Sequence, residues 1–382
     1  MKSQIKNKIS LLFIICSLLH TAFSFAQDTL PSKKLFINFS AHYGFIVAHH
    51  QNMDYLIKHH IAAGEIDLVR ITNGEKSWQK TYKNPEMGLG LFCAELGNPK
   101  QLGEAIGIFP FINFSLNPGR KFKLYFRVSN GIGIVTKPFD RINNHKNNIN
   151  GSYLNTFINL RLNSVFYPGK KIRMETGIGL AHLSNGAVAL PNLGINLATI
   201  NVGISFLKPQ VTSHSERSPS DKSQEIQSPK PEIINPKYFF SLTAAAGPNG
   251  INPPGGKEYA GFMFSASGWR SVSEKSRFGA GLEAMYDFSN IEDAKRDTAF
   301  DTSKPLNNLQ AGLKFGYELV IGKIGLPLEM GYYLFSKTTR GGPFYHRIGI
   351  RYYVNKHLLI NYTLKTQWAT AENLEVGIGY RF

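Results

Sequence analysis

The feature that most constrains this chain is a hydropathy period of two, sustained for longer than soluble strands usually run. Phe122, Leu124, Phe126 and Val128 are apolar, while Lys123, Arg127 and Ser129 between them are polar. Ile172, Met174, Ile178 and Leu180 alternate with Arg173, Glu175, Gly177 and Gly179. Ala198, Ile200, Val202, Ile204 and Phe206 alternate with Thr199, Asn201, Gly203 and Ser205. Successive side chains of a strand point to opposite faces, so each stretch has one apolar and one polar side. Kept up over about 8–12 residues, this pattern predicts a transmembrane antiparallel β-barrel.

Composition agrees. The 36 glycines, 17 tyrosines and 27 phenylalanines suit strands and turns better than helix interiors, and the aromatic load excludes general disorder. The chain ends Val376-Gly-Ile-Gly-Tyr-Arg-Phe382, an amphipathic strand closing on an aromatic, similar to the insertion signal of outer-membrane barrels. A soluble β-sandwich would explain the alternation, but less well the strand lengths, the aromatic load and the last residue. After the first residues no run of 18 apolar side chains occurs, so no transmembrane helix is expected.

The N-terminus reads as an export signal. Lys2, Lys6 and Lys8 precede the apolar run Ile9 to Leu19, and Ser24-Phe25-Ala26 is a small-x-small cleavage site. Residues 1–26 are the expected signal peptide and Gln27 the first mature residue. Cleavage removes Cys16 and leaves Cys93 alone, so no intrachain disulfide is expected, and Cys93 reads as a packing residue.

About eight strands are predicted between residues 35 and 207, near 35–47, 63–73, 87–95, 104–116, 121–136, 152–167, 171–184 and 195–207. Short turns at 117–121 and 168–171 alternate with longer loops at 48–62, 137–151 and 185–194, as in outer-membrane barrels. The segment 74–86 is too long for a short turn and has no sequence-level explanation. Residues 209–236, rich in Ser, Pro, Lys and Glu, read as a flexible linker. About eight more strands follow in 237–382. Two tandem eight-stranded barrels are expected, with one barrel of about sixteen strands as the alternative. Residues 27–208 should form a barrel and act on their own. Gly-x-Gly pairs such as Gly88-Leu-Gly90 and Gly177-Ile-Gly179 open no helix, so they predict relief of crowding inside a barrel rather than a nucleotide site.

The chemistry concentrates in Ala181-His-Leu-Ser-Asn-Gly-Ala-Val-Ala-Leu-Pro-Asn-Leu-Gly-Ile-Asn196. His182 and Ser184, two apart, share a face with Ile172, Met174, Ile178 and Leu180, which should meet lipid because the other face carries Arg173 and Glu175. A serine beside a histidine is the minimal activated nucleophile. Asn196 shares parity with Ala198, Ile200 and Val202, points outward too, and could lie near His182 across the hairpin. Alone, the H-x-S pair could equally serve headgroup or loop contacts.

The full string, H-x-S-N followed by P-N-x-G-I, resembles the PagL family of lipid A 3-O-deacylases. That resemblance implies an eight-stranded outer-membrane barrel with its Ser/His/acid triad facing the outer leaflet. It implies His182 as base, Ser184 as nucleophile, and Asn192 together with Asn185, the asparagine that follows the serine, at the oxyanion hole. The family's acid falls at Asn196, which can orient the imidazole but cannot stabilise the imidazolium by charge. The expected activity is hydrolysis of the ester-linked acyl chain at the 3-position of lipid A in the cell outer membrane, with no cofactor and no metal. The alternative is a non-enzymatic barrel, a structural protein or narrow pore. His49-His50 and His59-His60 lack a companion ligand set and read as loop or headgroup contacts. His346 and Lys365 show no partner in the sequence. The formal net charge of +17 fits contact with lipopolysaccharide phosphates, and nucleic acid is not an expected partner of an exported barrel.

Overall fold

A computed structural model describes residues 35–118, 122–169, 171–207, 236–295, 305–338, 342–368 and 370–382. The expected signal peptide and all but Pro236 of the expected linker lie outside the described residues.

The first barrel comprises β1 (Leu35–Ile46), β2 (Ile61–Ile71), β3 (Glu86–Glu95), β4 (Glu104–Ser115), β5 (Lys123–Val135), β6 (Leu154–Phe166), β7 (Ile172–Ser184) and β8 (Ile195–Phe206). Each strand pairs antiparallel with the next, and β8 closes on β1, with Tyr43 opposite Ile200. The second barrel comprises β9 (Tyr238–Gly250), β10 (Glu258–Ser271), β11 (Ser276–Asp287), β12 (Leu309–Ile321), β13 (Ile324–Ser336), β14 (Phe344–Tyr353), β15 (Leu358–Gln367) and β16 (Thr370–Arg381). It closes between β16 and β9. The tandem arrangement therefore holds, and a single sixteen-stranded wall is excluded because β8 spends its second edge on β1. Closure leaves no unpaired edge, the condition for a sheet in lipid.

Parity decides which side chains meet lipid. On β7, Ile178 is 60 % exposed while Arg173 and Glu175 are buried. The lumens hold ion pairs rather than water-filled channels. Arg127 bridges Glu65 at 2.7 Å and Asp67 at 2.9 Å, and Arg161 also pairs with Glu65. Below them Arg173 joins Glu175 at 2.7 Å and Glu86 at 3.3 Å. Phe92, Phe109 and Phe157 pack above this network, fully buried. The second lumen repeats the device with Arg347–Glu375, Arg351–Glu329 and Lys314–Glu283 at 2.7, 2.7 and 2.8 Å. Such plugged interiors speak against the narrow pore. The interior is crowded, as the glycine pattern predicts: a Cβ on Gly90 would lie 2.5 Å from the Phe109 ring and 2.8 Å from Asp67.

Two expectations are corrected. Cys93 is exposed on the outer wall rather than packed inside, because its parity is opposite to that of Phe92. Lys365 has partners: its ammonium lies 2.8 Å from Glu372 and over the rings of Tyr333 and Tyr345. Arg127, Arg161, Arg173, Arg277, Arg347 and Arg351 are buried in the lumens, but Glu65, Asp67, Glu86, Glu175, Glu283, Glu318, Glu329 and Glu375 are buried with them, so the net positive excess lies elsewhere.

The segment 74–86 also finds its explanation. It carries a short helix, Ser77–Thr81, that docks on the second barrel. Thr81 Oγ1 donates to Glu274 at 2.7 Å, the Tyr82 hydroxyl donates to Val320 O at 2.7 Å, and Lys275 sits over the Tyr82 ring. The two barrels are thus bracketed together on the short-turn side.

Candidate active site

His182 and Ser184 end β7 on its outward face, at the long-loop end of the first barrel. The β7–β8 register sets His182 directly opposite Asn196, and their side chains meet: His182 Nδ1 lies 2.6 Å from Asn196 Oδ1. The amide nitrogen of Asn196 points the other way, to His49 Nδ1 at 3.1 Å, and His49 Nε2 lies 2.9 Å from Leu193 O. One proton arrangement satisfies these three links and leaves only the longer approach of His49 Nδ1 to Val47 O, 3.3 Å, without a hydrogen. His49 Nε2–H donates to Leu193 O, Asn196 Nδ2–H donates to His49 Nδ1, and His182 Nδ1–H donates to Asn196 Oδ1. His182 Nε2 then keeps its lone pair.

His49 is the participant that sequence reading missed, having been assigned to loop or headgroup contacts. A signal existed. β1 pairs with β8 up to Ile46 opposite Leu197, and Val47 N donates to Asn196 O at 2.8 Å, so residue 49 lies on the flank of residue 196.

Ser184 lies under the β7–β8 loop and is only 9 % exposed. Its hydroxyl donates to Asn192 Oδ1 at 3.0 Å, and the same oxygen accepts Asn185 N–H at 3.1 Å. Gly186 N–H points at Ser184 Oγ from 3.2 Å. The Asn185 side chain, expected at the oxyanion hole, turns away from the serine: its Nδ2 donates to Ser152 Oγ at 3.0 Å and Ala189 O at 2.9 Å, fastening the loop. The five predicted residues are therefore gathered at one hairpin, but in two clusters, Ser184–Asn192–Asn185 and His182–Asn196–His49.

Gly194 packs against the His182 ring. Its φ of +80° belongs to the left-handed region, and a Cβ there would lie 2.8 Å from His182 Cε1. Down the same outer wall runs an apolar trough of about 580 Å³, lined among others by Tyr43, Phe45, Ile178, Leu180, Ala198 and Ile200. Leu180 and Ala198 directly follow His182 and Asn196 on their outward faces. Among the described residues no group of three or more His, Cys, Asp or Glu side chains converges as metal ligands would.

Residues 68–205 match the family described as "Lipid A 3-O-deacylase (PagL)", and residues 238–382 match that described as "Acyloxyacyl hydrolase, C-terminal domain". The chain belongs to the PagL family. It is an outer-membrane hydrolase that deacylates lipid A. The solved outer membrane enzyme PagL is 15 % identical, with a TM-score of 0.29, over 44 % of this chain and 97 % of its own. The Acinetobacter baumannii outer membrane protein Omp33 is 6 % identical, covering 92 % of this chain and 97 % of its own at a TM-score of 0.16. The translocator domain of the autotransporter NalP from Neisseria meningitidis is 10 % identical over 98 % of each chain, at a TM-score of 0.20. No curated protein matches. The PagL match ends at residue 205, one short of the end of β8, and so takes in β7, the β7–β8 loop and Ser184 and His182.

Proposed function

We propose that this PagL-family protein cleaves the 3-O-linked acyl ester of lipid A with Ser184 as nucleophile and His182 as general base. One observation carries the reading: the 2.6 Å bond from His182 Nδ1 to Asn196 Oδ1. An amide oxygen only accepts, so Nδ1 holds the hydrogen and Nε2 is basic, on the same outward face as the serine.

The acyl chain lies in the trough of the outer wall, which brings its ester to the rim. Ser184 Oγ leaves Asn192 and turns to His182 Nε2, a tightening common when substrate arrives. Oγ attacks the acyl carbonyl as its proton passes to Nε2. The negative oxygen of the tetrahedral intermediate is met by Gly186 N–H and by Asn192 Nδ2, while Asn185 serves by holding the loop. The bond from the acyl carbon to the sugar oxygen breaks, and Nε2 returns its proton to that oxygen. A water then gives a proton to Nε2 and attacks the acyl-enzyme, releasing the fatty acid and restoring Ser184. Asn196 keeps the tautomer throughout, but without charge to match the imidazolium.

The test uses Ser184→Ala and His182→Ala in the full chain. Both variants should stay inserted and heat-modifiable, and mass spectrometry of lipid A should show the acyl chain retained. Release at the parent rate by either variant would sink the reading.

A further inference from the structure

The second barrel has no role in the chemistry above, yet one of its two sets of contacts with the first barrel falls on the β7–β8 loop that follows the nucleophile. Gly250, at the end of β9, donates its N–H to Ala187 O at 2.7 Å. Gly255 donates to Leu190 O at 3.1 Å, and Arg141 Nε of the first barrel holds Pro254 O at 3.0 Å. Gly186, whose φ is +66°, abuts Leu364 and Leu374: a Cβ on it would lie 3.1 and 3.2 Å from them. Ala187 follows with φ +65°, a conformation that an L-residue keeps only when its surroundings hold it. One such hold is the Gly250 N–H on its carbonyl.

A further contact lies on the wall. Thr156 of β6 is the register partner of Ser184, and its Oγ1 lies 2.6 Å from the Tyr362 hydroxyl of β15. The outward neighbour of the serine on the β6 side is therefore already occupied by the other barrel. The open apolar trough spans the wall from β5 and β6 (Phe126, Leu160, Leu162) across β7 to β8 and β1.

We propose that the second barrel completes the active site. Through Gly250 and Gly255 it fixes the loop that bears Gly186 N–H and Asn192. Through Tyr362 on Thr156 it covers the outward neighbour of the serine on β6, so that the acyl ester of the lipid reaches Ser184 from the trough and not past Thr156. This rests on Ser184 being the nucleophile. Gly250, Tyr362, Leu364 and Leu374 are positioning residues that touch no reacting atom.

The test keeps the full chain and uses two readouts. One is deacylation of detergent-dispersed lipid A, with kcat and KM separated. The other is labelling of Ser184 by a soluble alkyl fluorophosphonate, in which Oγ bonds phosphorus and fluoride leaves; it needs the loop but not the lipid wall. A Cβ on Gly250 would lie 2.9 Å from Val188 O and 3.2 Å from Ala187 O, so Gly250→Ala pushes the loop. It should lower kcat and labelling together by about tenfold, with KM little changed. Tyr362→Phe, which preserves the fold by shape, should lower kcat/KM on lipid A about fivefold and leave labelling unchanged. Adding Thr156→Val to Tyr362→Phe should cost nothing more, because both remove one bond. Parent values for Gly250→Ala and Tyr362→Phe, with Ser184→Ala inactive and unlabelled, would overturn the proposal. Parent activity in Ser184→Ala would instead remove the nucleophile reading beneath it.

Discussion

Ser184 donates its hydroxyl hydrogen to Asn192 Oδ1 at 3.0 Å, and among the described residues no bond joins it to His182, two residues earlier on the same strand face. The nucleophile is thus held by the loop that also presents the oxyanion donors, and the base is held by β8. Substrate must bring the two clusters together.

Asn192→Ala removes the acceptor of both Ser184 and Asn185 N–H, and with it one proposed oxyanion donor. Loss of such a donor costs about 10²–10³ in kcat. Initial rates of fatty-acid release should fall by that order, with the barrel still heat-modifiable.

Gly194→Ala tests how closely His182 is seated. The new methyl would stand 2.8 Å from Cε1 in a backbone conformation with φ +80°, so the imidazole must shift. A displacement of about 1 Å at a reacting group can cost about 10²-fold. We expect a loss of that order in kcat, and a rate within twofold of the parent would show the ring to have slack.

Asn196→Asp should raise activity by about tenfold or more, since a carboxylate can stabilise the imidazolium that the amide cannot. The variant loses the donor to His49, and the gain is measured net of that loss. Unchanged or lower activity, with the fold intact, would assign the stabilising charge to another group.

His49→Ala removes the acceptor that sets which way the Asn196 amide faces. The expected effect is a several-fold drop in kcat, about the worth of one net hydrogen bond. Lipid A turnover by His49→Ala and by His50→Ala, a neighbour outside the chain of bonds, makes the comparison.

Residues 27–208 should fold by themselves in detergent, because β8 pairs with β1 and leaves no open edge. They should deacylate more slowly than the full chain, since the loop loses Gly250 and Gly255. Protease resistance measures the first expectation and kcat the second. The fragment is thus expected to fold alone but not to act at full rate.

Much of this was legible in the sequence because one physical rule wrote it. A strand between lipid and a plugged lumen must alternate, so β1 to β8 were found within about two residues, and the parity of Ile178 against Arg173 gave the faces. The same parity, with a hairpin, put Asn196 beside His182. What stayed hidden depends on contacts between distant segments. His49 joins the site only through the β1–β8 closure. The helix Ser77–Thr81 makes sense only once Glu274 and Val320 are beside it. The buried arginines looked like surface charge because a count of residues carries no address.

The amide at position 196 has a consequence for where such an enzyme can work. The outer leaflet is crowded with phosphates and their counter-ions, and a carboxylate at the rim would feel that potential rise and fall with salt. A neutral side chain feels only the potential difference across its dipole. The His182 tautomer is therefore set by local bonding and is indifferent to ionic strength, whatever the density of anionic headgroups around it.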